Sequence, residues 1–216
     1  MNTYNSKLQT NNATIQELIN IVNNLPEVSD DKDLNDFIEN DVLNKYIFDN
    51  VTKIRTNGFA YCTNLTTATF PNCINIGNEA FYDCDNLTTA SFPNCTNIGV
   101  SAFYWCSKLT TVTFPNCTNI GNKAFHNCTN LSTISFPNCT NIGASAFYAC
   151  YNLSSFTLGA SIVCTLAHSN ALGFTPFAGY SSYFSGTPVI YVPSALLENY
   201  KTATNWTYFS KYMVGY

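Results

Sequence analysis

The strongest constraint on the fold is the spacing of the cysteines. Nine of the ten recur every eleven residues, at Cys62, Cys73, Cys84, Cys95, Cys106, Cys117, Cys128, Cys139 and Cys150. Alternate members have different surroundings, because one set follows a phenylalanine by three residues and the other lies within Pro-Asn-Cys. The repeat is therefore 22 residues long and contains two cysteine columns. The first column is the set that follows a phenylalanine, and the second is the set within Pro-Asn-Cys. A fixed period of this length indicates stacked units that share one core.

One unit reads LTTASFPNCTNIGVSAFYWCSK from Leu87, and the next, LTTVTFPNCTNIGNKAFHNCTN from Leu109, matches it closely. The apolar residues of the first unit are Leu87, Ala90, Phe92, Cys95, Ile98, Ala102, Phe103 and Cys106. Their order follows the leucine-rich-repeat template. A strand begins near Thr89 and ends at Pro93, which has no amide hydrogen to extend a ladder. The sequence predicts a leucine-rich-repeat solenoid, mostly β, with one short strand per 22-residue coil and short turns.

The unit I-G-x-x-A-F-x-x-C-x-x-L-x-x-x-x-F-P-N-C-x-N resembles the BspA-type, or Treponema-type, leucine-rich repeat of bacterial surface and phage-borne proteins. The resemblance covers residues 37–165 and includes an imperfect capping coil, in which Val51 takes the place of a cysteine. The ending VIYVPSALLENYKTATNWTYFSKYM is similar to the tail of such proteins encoded by phages and prophages of gut Firmicutes. These resemblances imply a recognition or adhesion protein.

Four segments are predicted: an N-terminal α-helix over 1–26, an acidic linker over 27–36, the solenoid over 37–165, and an irregular α+β C-terminal cap over 166–216. The helix carries residues at seven-residue intervals in two series offset by three, namely Leu8, Ile15 and Val22, then Asn11, Leu18 and Leu25. A polar residue among such positions is typical of register control in coiled coils. The helix is either a trimerisation element or an amphipathic helix that packs on a neighbouring surface.

The C-terminal segment loses the period and becomes rich in aromatic residues. Val189 to Val192 is predicted to form a strand, and Ser194 to cap a helix that ends near Thr202. Trp206 is expected to fold back on that helix. The segment is interpreted as a cap over the open end of the stack, with a receptor-contacting tip as the alternative.

Two explanations compete for the cysteines. Two cysteines of the same column in adjacent coils lie close enough for a disulfide, since strands are about 4.8 Å apart and bridged Cα atoms about 4.4–6.8 Å apart. Free thiols are favoured, because a column of five cannot pair completely and because each position needs a small buried apolar group. Zinc is not expected, since no C-x-x-C or Cys-His pair has chelating spacing. No cofactor is expected.

No enzymatic site is expected either. The two histidines, His126 and His168, have no evident nucleophile or base beside them, and Asp83 and Asp85 are interpreted as turn residues. An enzyme would need its site in the C-terminal segment. The net charge of −4 and the absence of a basic stripe argue against nucleic acid as a partner. No apolar segment is long enough for membrane insertion.

The candidate binding face consists of the outward residues of successive strands. They form a ladder of hydroxyl groups: Thr67, Thr69, Thr89, Ser91, Thr111, Thr113, Thr133 and Ser135. Three readings remain open, namely a solvated surface, a hydrogen-bonding face for a glycan or protein, and an ice-binding array. The candidate aromatic contacts lie beside the cysteine turn and could stack on sugars or pack on each other: Tyr82, Tyr104, Trp105 and Tyr148.

The start, MNTYNSKLQTNNATIQ, lacks the basic and apolar regions of a secretory signal. The sequence thus favours a phage or prophage tail-associated fibre in the virion, which presents its solenoid to a cell-surface glycan or protein. The homotrimer through the N-terminal helix belongs to this hypothesis. The alternative is a BspA-like bacterial surface or secreted adhesin that binds host proteins.

Overall fold

A computed structural model describes residues 51–168, 171–172 and 188–216. They form a parallel β-solenoid with a C-terminal cap that contains short helices. The predicted N-terminal helix with its six heptad residues, the acidic linker and the start of the capping coil lie outside the described residues. The leucine-rich-repeat fold predicted from the 22-residue period is confirmed.

Each regular coil contributes one strand to a major sheet and one two-residue strand to a minor sheet. The major-sheet strands are β2 (Thr67–Thr69), β4 (Thr89–Ser91), β6 (Thr111–Thr113), β8 (Thr133–Phe136), β10 (Ser155–Leu158), β12 (Val189–Val192) and β13 (Met213–Gly215). The minor-sheet strands are β1 (Lys53–Ile54), β3 (Asn75–Ile76), β5 (Asn97–Ile98), β7 (Asn119–Ile120), β9 (Asn141–Ile142) and β11 (Thr165–Leu166). Regular coils pair in parallel at an offset of 22 residues, as Thr67 does with Thr89.

Two columns of stacked phenylalanines fill the core. In the first column the rings of Phe81 and Phe103 are 5.0 Å apart and nearly parallel, and in the second those of Phe70 and Phe92 are 5.2 Å apart. Each buried phenylalanine contributes about 1.5–3 kcal/mol relative to an exposed one. Because one coil cannot enclose its own rings, stacking is what buries them.

All ten cysteines are free and buried. The thiol of Cys106 contacts the carbonyl oxygen of Phe81 in the preceding coil at 3.1 Å, and that of Cys95 contacts the carbonyl oxygen of Asn97 at 3.2 Å. Burial raises the pKa of Cys95 to about 12. The cysteines therefore act as small core residues that also cover backbone carbonyls.

The major sheet is interrupted in the middle of the stack. Among the described strands, β2, β4 and β6 form one hydrogen-bonded group and β8, β10, β12 and β13 form another, whereas the minor sheet is continuous from β1 to β11. The central inward residue is Ala90 in β4, Val112 in β6 and Ile134 in β8, and the rings of Phe114 and Phe136 are 6.1 Å apart. Side-chain volume alone does not explain the interruption, because Ala90 pairs with the larger Val112, and Ile134 with the larger Phe156, without a break.

The C-terminal cap hydrogen-bonds the end of the minor sheet. The Tyr200 hydroxyl accepts a hydrogen bond from the Cys164 amide at 2.9 Å. The Trp206 indole donates to the Cys164 carbonyl at 2.6 Å, and the Asn205 amide donates to the Leu166 carbonyl at 2.8 Å. These bonds satisfy groups that an open edge strand would expose. The cap interpretation of this segment therefore agrees with its contacts.

One detail of the cap differs from the prediction. Ser194 does not cap an α-helix: it begins a 3-10 helix at Ser194–Leu196, and α1 follows at Leu197–Thr202, with no side-chain cap on either. The Ser194 amide instead donates to the carbonyl of Tyr216 beside β13. A second 3-10 helix spans Thr207–Tyr212. Trp206 packs edge-on against Tyr200, as expected.

Candidate functional site

The strand face, meaning the outward side of the major sheet, carries the predicted hydroxyl ladder. The outward residues flank a central residue that is buried in β2, β4, β8 and β10 and half-buried in β6, and they stand in register from coil to coil, as Thr89 with Thr111 and Ser91 with Thr113. Neighbouring coils are about 4.8 Å apart. The ladder ends on β12 and β13, where Tyr191 and Val214 continue the column of Thr157.

The hydroxyl groups of the strand face have no intramolecular partner within the described ranges. Across the described chain, no side-chain hydrogen bond involves the outward residues Thr67, Thr69, Thr89, Ser91, Thr111, Thr113, Thr133, Ser135, Ser155 and Thr157. The threonine preceding each strand differs, since Thr88 and Thr110 donate to carbonyls of the previous coil. The most exposed hydroxyls flank the interruption between β6 and β8. This face therefore presents an array of free donors and acceptors.

The candidate aromatic contacts form a stack along a second surface, beside the first cysteine column. The ring centroids of Tyr82 and Tyr104 are 5.1 Å apart, those of Tyr104 and His126 4.7 Å, and those of His126 and Tyr148 5.0 Å. Tyr61 extends the stack over Tyr82 at 5.3 Å. The rings of Tyr82, Tyr104 and His126 are stacked and cover each other's faces, whereas Tyr61 and Tyr148 are tilted against the two ends of this group.

Trp105 differs from the stacked rings. It lies beside Tyr104 with the ring centroids 6.4 Å apart and remains 49% exposed. Its φ of 63° places it in the left-handed region at the same turn position as Asp83 and Asn127. A bulky residue is unusual in that conformation. Among the four predicted aromatic contacts, Trp105 keeps the most accessible ring.

The electrostatics of these surfaces do not indicate a catalytic group. Burial, assisted by Lys123, lowers the pKa of His126 to about 4, so its ring is neutral at physiological pH. Burial and then Asp85 raise the pKa of Asp83, whose φ of 57° marks a turn. Within the described ranges, no group of three or more His, Cys, Asp or Glu side chains could hold a metal ion. None of the helices described there is long and apolar enough to span a bilayer.

A groove of about 610 Å³ on a third surface is absent from the sequence predictions. Its floor consists of an asparagine and a threonine from each of three coils, namely Asn94, Asn116 and Asn138 with Thr96, Thr118 and Thr140. Its end is formed by Ala160, Ser161 and Ile162, where the Pro-Asn-Cys sequence is lost. Ile162 is 57% exposed.

A change of register produces the end of the groove. Thr165 pairs with Asn141, 24 residues earlier, whereas Asn141 pairs with Asn119 at the usual 22. The additional residues lie between β10 and β11 and include Ser161 and Ile162. The displaced position of Cys164 relative to the eleven-residue series is the sequence signal that could have indicated this insertion.

Comparison with known proteins identifies the repeat. The model of the family described as BspA type leucine rich repeat region matches residues 52–170 in six copies. No curated protein matches the sequence.

Three solved structures are similar to parts of the chain. A leucine rich cell surface protein from Faecalibacterium prausnitzii A2-165 shares 32% identity over 51% of this chain and 32% of its own, with a TM-score of 0.46. A leucine-rich repeat protein from Bacteroides ovatus ATCC 8483 shares 23% identity over 68% of this chain and 43% of its own, with a TM-score of 0.49. The T. pallidum leucine rich repeat protein shares 18% identity over 66% of this chain and 52% of its own, with a TM-score of 0.38. The chain thus spans about a third to a half of these structures.

Proposed function

Because the chain belongs to the BspA-type leucine-rich-repeat family, we propose that it is a non-enzymatic recognition or adhesion protein. In this proposal the strand face binds a glycan or protein on a cell surface. The supporting observation is the array of outward threonine and serine hydroxyls, which make no internal side-chain hydrogen bond among the described residues. Polar groups left unsatisfied on a rigid sheet are available for hydrogen bonds with a partner at little cost in conformational entropy.

We further propose that the protein is a receptor-binding fibre of a phage or prophage tail, assembled as a homotrimer through the N-terminal heptads. The support is the likeness of its C-terminal segment to the tails of phage-encoded proteins, together with the heptad spacing of Leu8, Ile15 and Val22. A bacterial surface or secreted adhesin that binds host proteins is the alternative, and the family resemblance supports it equally.

The recognition role is tested with fluorescently labelled protein on intact bacterial cells. The variant Thr111→Val with Thr133→Val removes two exposed hydroxyls while it keeps the shape of each side chain. We expect cell binding to fall at least fivefold, with unfolding within about 0.5 kcal/mol of wild type, as is usual for exposed positions. Thr63→Val, an exposed threonine in a turn away from the strand face, serves as the matched control.

Equal loss in Thr63→Val would show that the effect is not specific to the strand face. Unchanged binding in the double variant, with binding lost in Trp105→Ala, would move the binding surface to the aromatic stack. The fibre hypothesis is tested separately by the mass in solution of the full chain and of Leu18→Asp. A trimer that dissociates in the variant supports it, and a monomeric wild-type protein contradicts it.

A further inference from the structure

We propose that the groove lined by Asn94, Asn116 and Asn138 is a second binding site, and that its ligand is a neutral, linear oligosaccharide lying along the axis of the stack. The proposal names a partner class for the recognition role proposed above, on which it rests, but it uses a different surface from the strand face. Neither the 22-residue pattern nor the family match assigns a role to this groove.

The floor of the groove keeps polar groups that its internal hydrogen bonds do not use. Each floor asparagine donates one amide hydrogen to a proline carbonyl of the preceding coil, at 2.8 Å in all three coils. The hydroxyls of Thr118 and Thr140 donate to the carbonyls of Thr96 and Thr118, at 3.0 and 3.1 Å. Each of the three coils therefore keeps an amide oxygen, a hydroxyl oxygen and one amide hydrogen available on the residues that line the groove.

The described residues that line the groove are all uncharged. They are asparagine, threonine, alanine, serine and isoleucine. An anion would meet oxygen lone pairs without a cation to offset them, and a cation would find no carboxylate. An uncharged ligand with many hydroxyls matches this surface, because each hydroxyl both donates and accepts.

Equivalent groups in the floor recur once per coil, about every 4.8 Å. An extended peptide repeats its side chains on one face about every 6.6 Å and would lose register within two coils. In a linear β-1,4-linked pyranose chain each sugar takes up close to the length of one coil and alternate sugars present the same face, so equivalent faces recur at every second coil. The three coils of the floor therefore span three successive sugars, of which the first and third present the same face.

The end of the groove provides an apolar contact. Ala160 is buried and Ile162 is largely exposed beside Ser161. Sugar rings have apolar faces formed by C–H groups, and an exposed isoleucine at the end of a polar groove can pack against one of them. The inserted residues thus close the groove at the coil where the repeat ends.

The test measures binding of the hexamers of β-1,4-linked glucose and N-acetylglucosamine, and of the acidic hexamer of galacturonic acid, by isothermal titration calorimetry. We expect at least one neutral hexamer to bind and the acidic hexamer not to bind. Thr118→Ile and Ile162→Ser are expected to weaken the neutral hexamer at least tenfold. Isoleucine is already present at the equivalent Ile74, so Thr118→Ile is compatible with the coil.

The matched control is Val100→Asn, which changes an exposed apolar residue outside the groove to the residue found at Asn78 and Asn122. It should bind like wild type. Failure of both neutral hexamers to bind, or binding that survives both groove variants, overturns the proposal. Loss of hexamer binding in Thr111→Val with Thr133→Val would place the sugar on the strand face. If the protein binds cells but neither neutral hexamer, the groove site is refuted while the recognition role proposed above stands.

Discussion

The Sγ atoms of Cys139 and Cys164 are 3.7 Å apart, although the two residues are separated by 25 positions and not by 22. Cys164 therefore continues the second cysteine column after the repeat has lost its period. Its neighbour Cys139 and its burial both raise the pKa of the Cys164 thiol. The backbone carbonyl of Cys164 also accepts a hydrogen bond from the indole of Trp206. The last position of the column thus joins the solenoid to its cap.

The second column requires small apolar side chains and not thiol chemistry. Val51 occupies the equivalent position in the capping coil and is fully buried. We expect Cys117→Val to destabilise the protein by less than about 1.5 kcal/mol, as for other volume-conserving changes. Threonine has nearly the same shape as valine but adds a buried hydroxyl, so Cys117→Thr should lower the free energy of unfolding by a further 1–3 kcal/mol or so. Urea unfolding under reducing conditions measures both, and equal midpoints would contradict this account.

Alkaline pH should destabilise the fold through the buried thiols. Burial raises the pKa of Cys73 to about 11 and that of Cys95 to about 12, from the ordinary thiol value of 9.0. Above pH 9 the unfolded chain releases these protons while the folded chain keeps them, so the free energy of unfolding falls as pH rises. The midpoint of urea unfolding should therefore decrease from pH 9 to pH 11. Cys95→Val should reduce the slope, and an unchanged slope would exclude Cys95 as a source.

The stack of aromatic rings should weaken in acid because of His126. Burial, with a contribution from Lys123, lowers its pKa from 6.5 to about 4, and its Nδ1 atom is buried with no partner among the described residues. Between pH 6.5 and pH 4 the unfolded chain binds a proton that the folded chain does not, so the free energy of unfolding decreases as the pH is lowered.

The variant His126→Tyr places a tyrosine between Tyr104 and Tyr148 and removes the titrating group. We expect it to unfold at higher urea than wild type at pH 5, with a smaller difference at pH 7.5. Thermal or urea unfolding at the two pH values provides the measurement. A difference that does not depend on pH would mean that the gain comes from ring packing alone.

The glycine column at the turn after the minor strand determines how closely coils approach. A Cβ atom on Gly121 would lie 2.7 Å from the carbonyl carbon of Gly99 and from the amide nitrogen of Val100. These backbone atoms of the preceding coil cannot move away without separating the coils. We expect Gly121→Ala to cost about 1–3 kcal/mol, in the range of overpacked sites.

Gly58→Ala provides the comparison for this prediction. Its nearest neighbour would be the Cγ2 atom of Ile54 at 3.0 Å, and a side chain can adjust. Circular dichroism during thermal unfolding should show a clearly lower midpoint for Gly121→Ala than for Gly58→Ala. A larger loss at position 58 would contradict the role assigned to close contact between coils.

The sequence alone determined the coil. In a parallel stack each residue contacts its equivalent 22 positions away, so one repeated order of side chains specifies the strands, the two cysteine columns and the outward hydroxyls together. Thr89 lies outward and Ala90 inward because side chains alternate along a strand. The predicted rings of Tyr82 and Tyr104 were also found at one surface, for the same reason.

Only the tertiary structure decided the features that depend on departures from the repeat. The interruption between β6 and β8 has no counterpart in the repeat pattern, and the groove ends at the insertion that displaces Ile162. Likewise, the faces of the tyrosine rings are covered because neighbouring coils bring them to stacking distance. A periodic sequence specifies which residues are equivalent, but the consequence of an unequal residue depends on how its neighbours relax around it, and that is settled by packing.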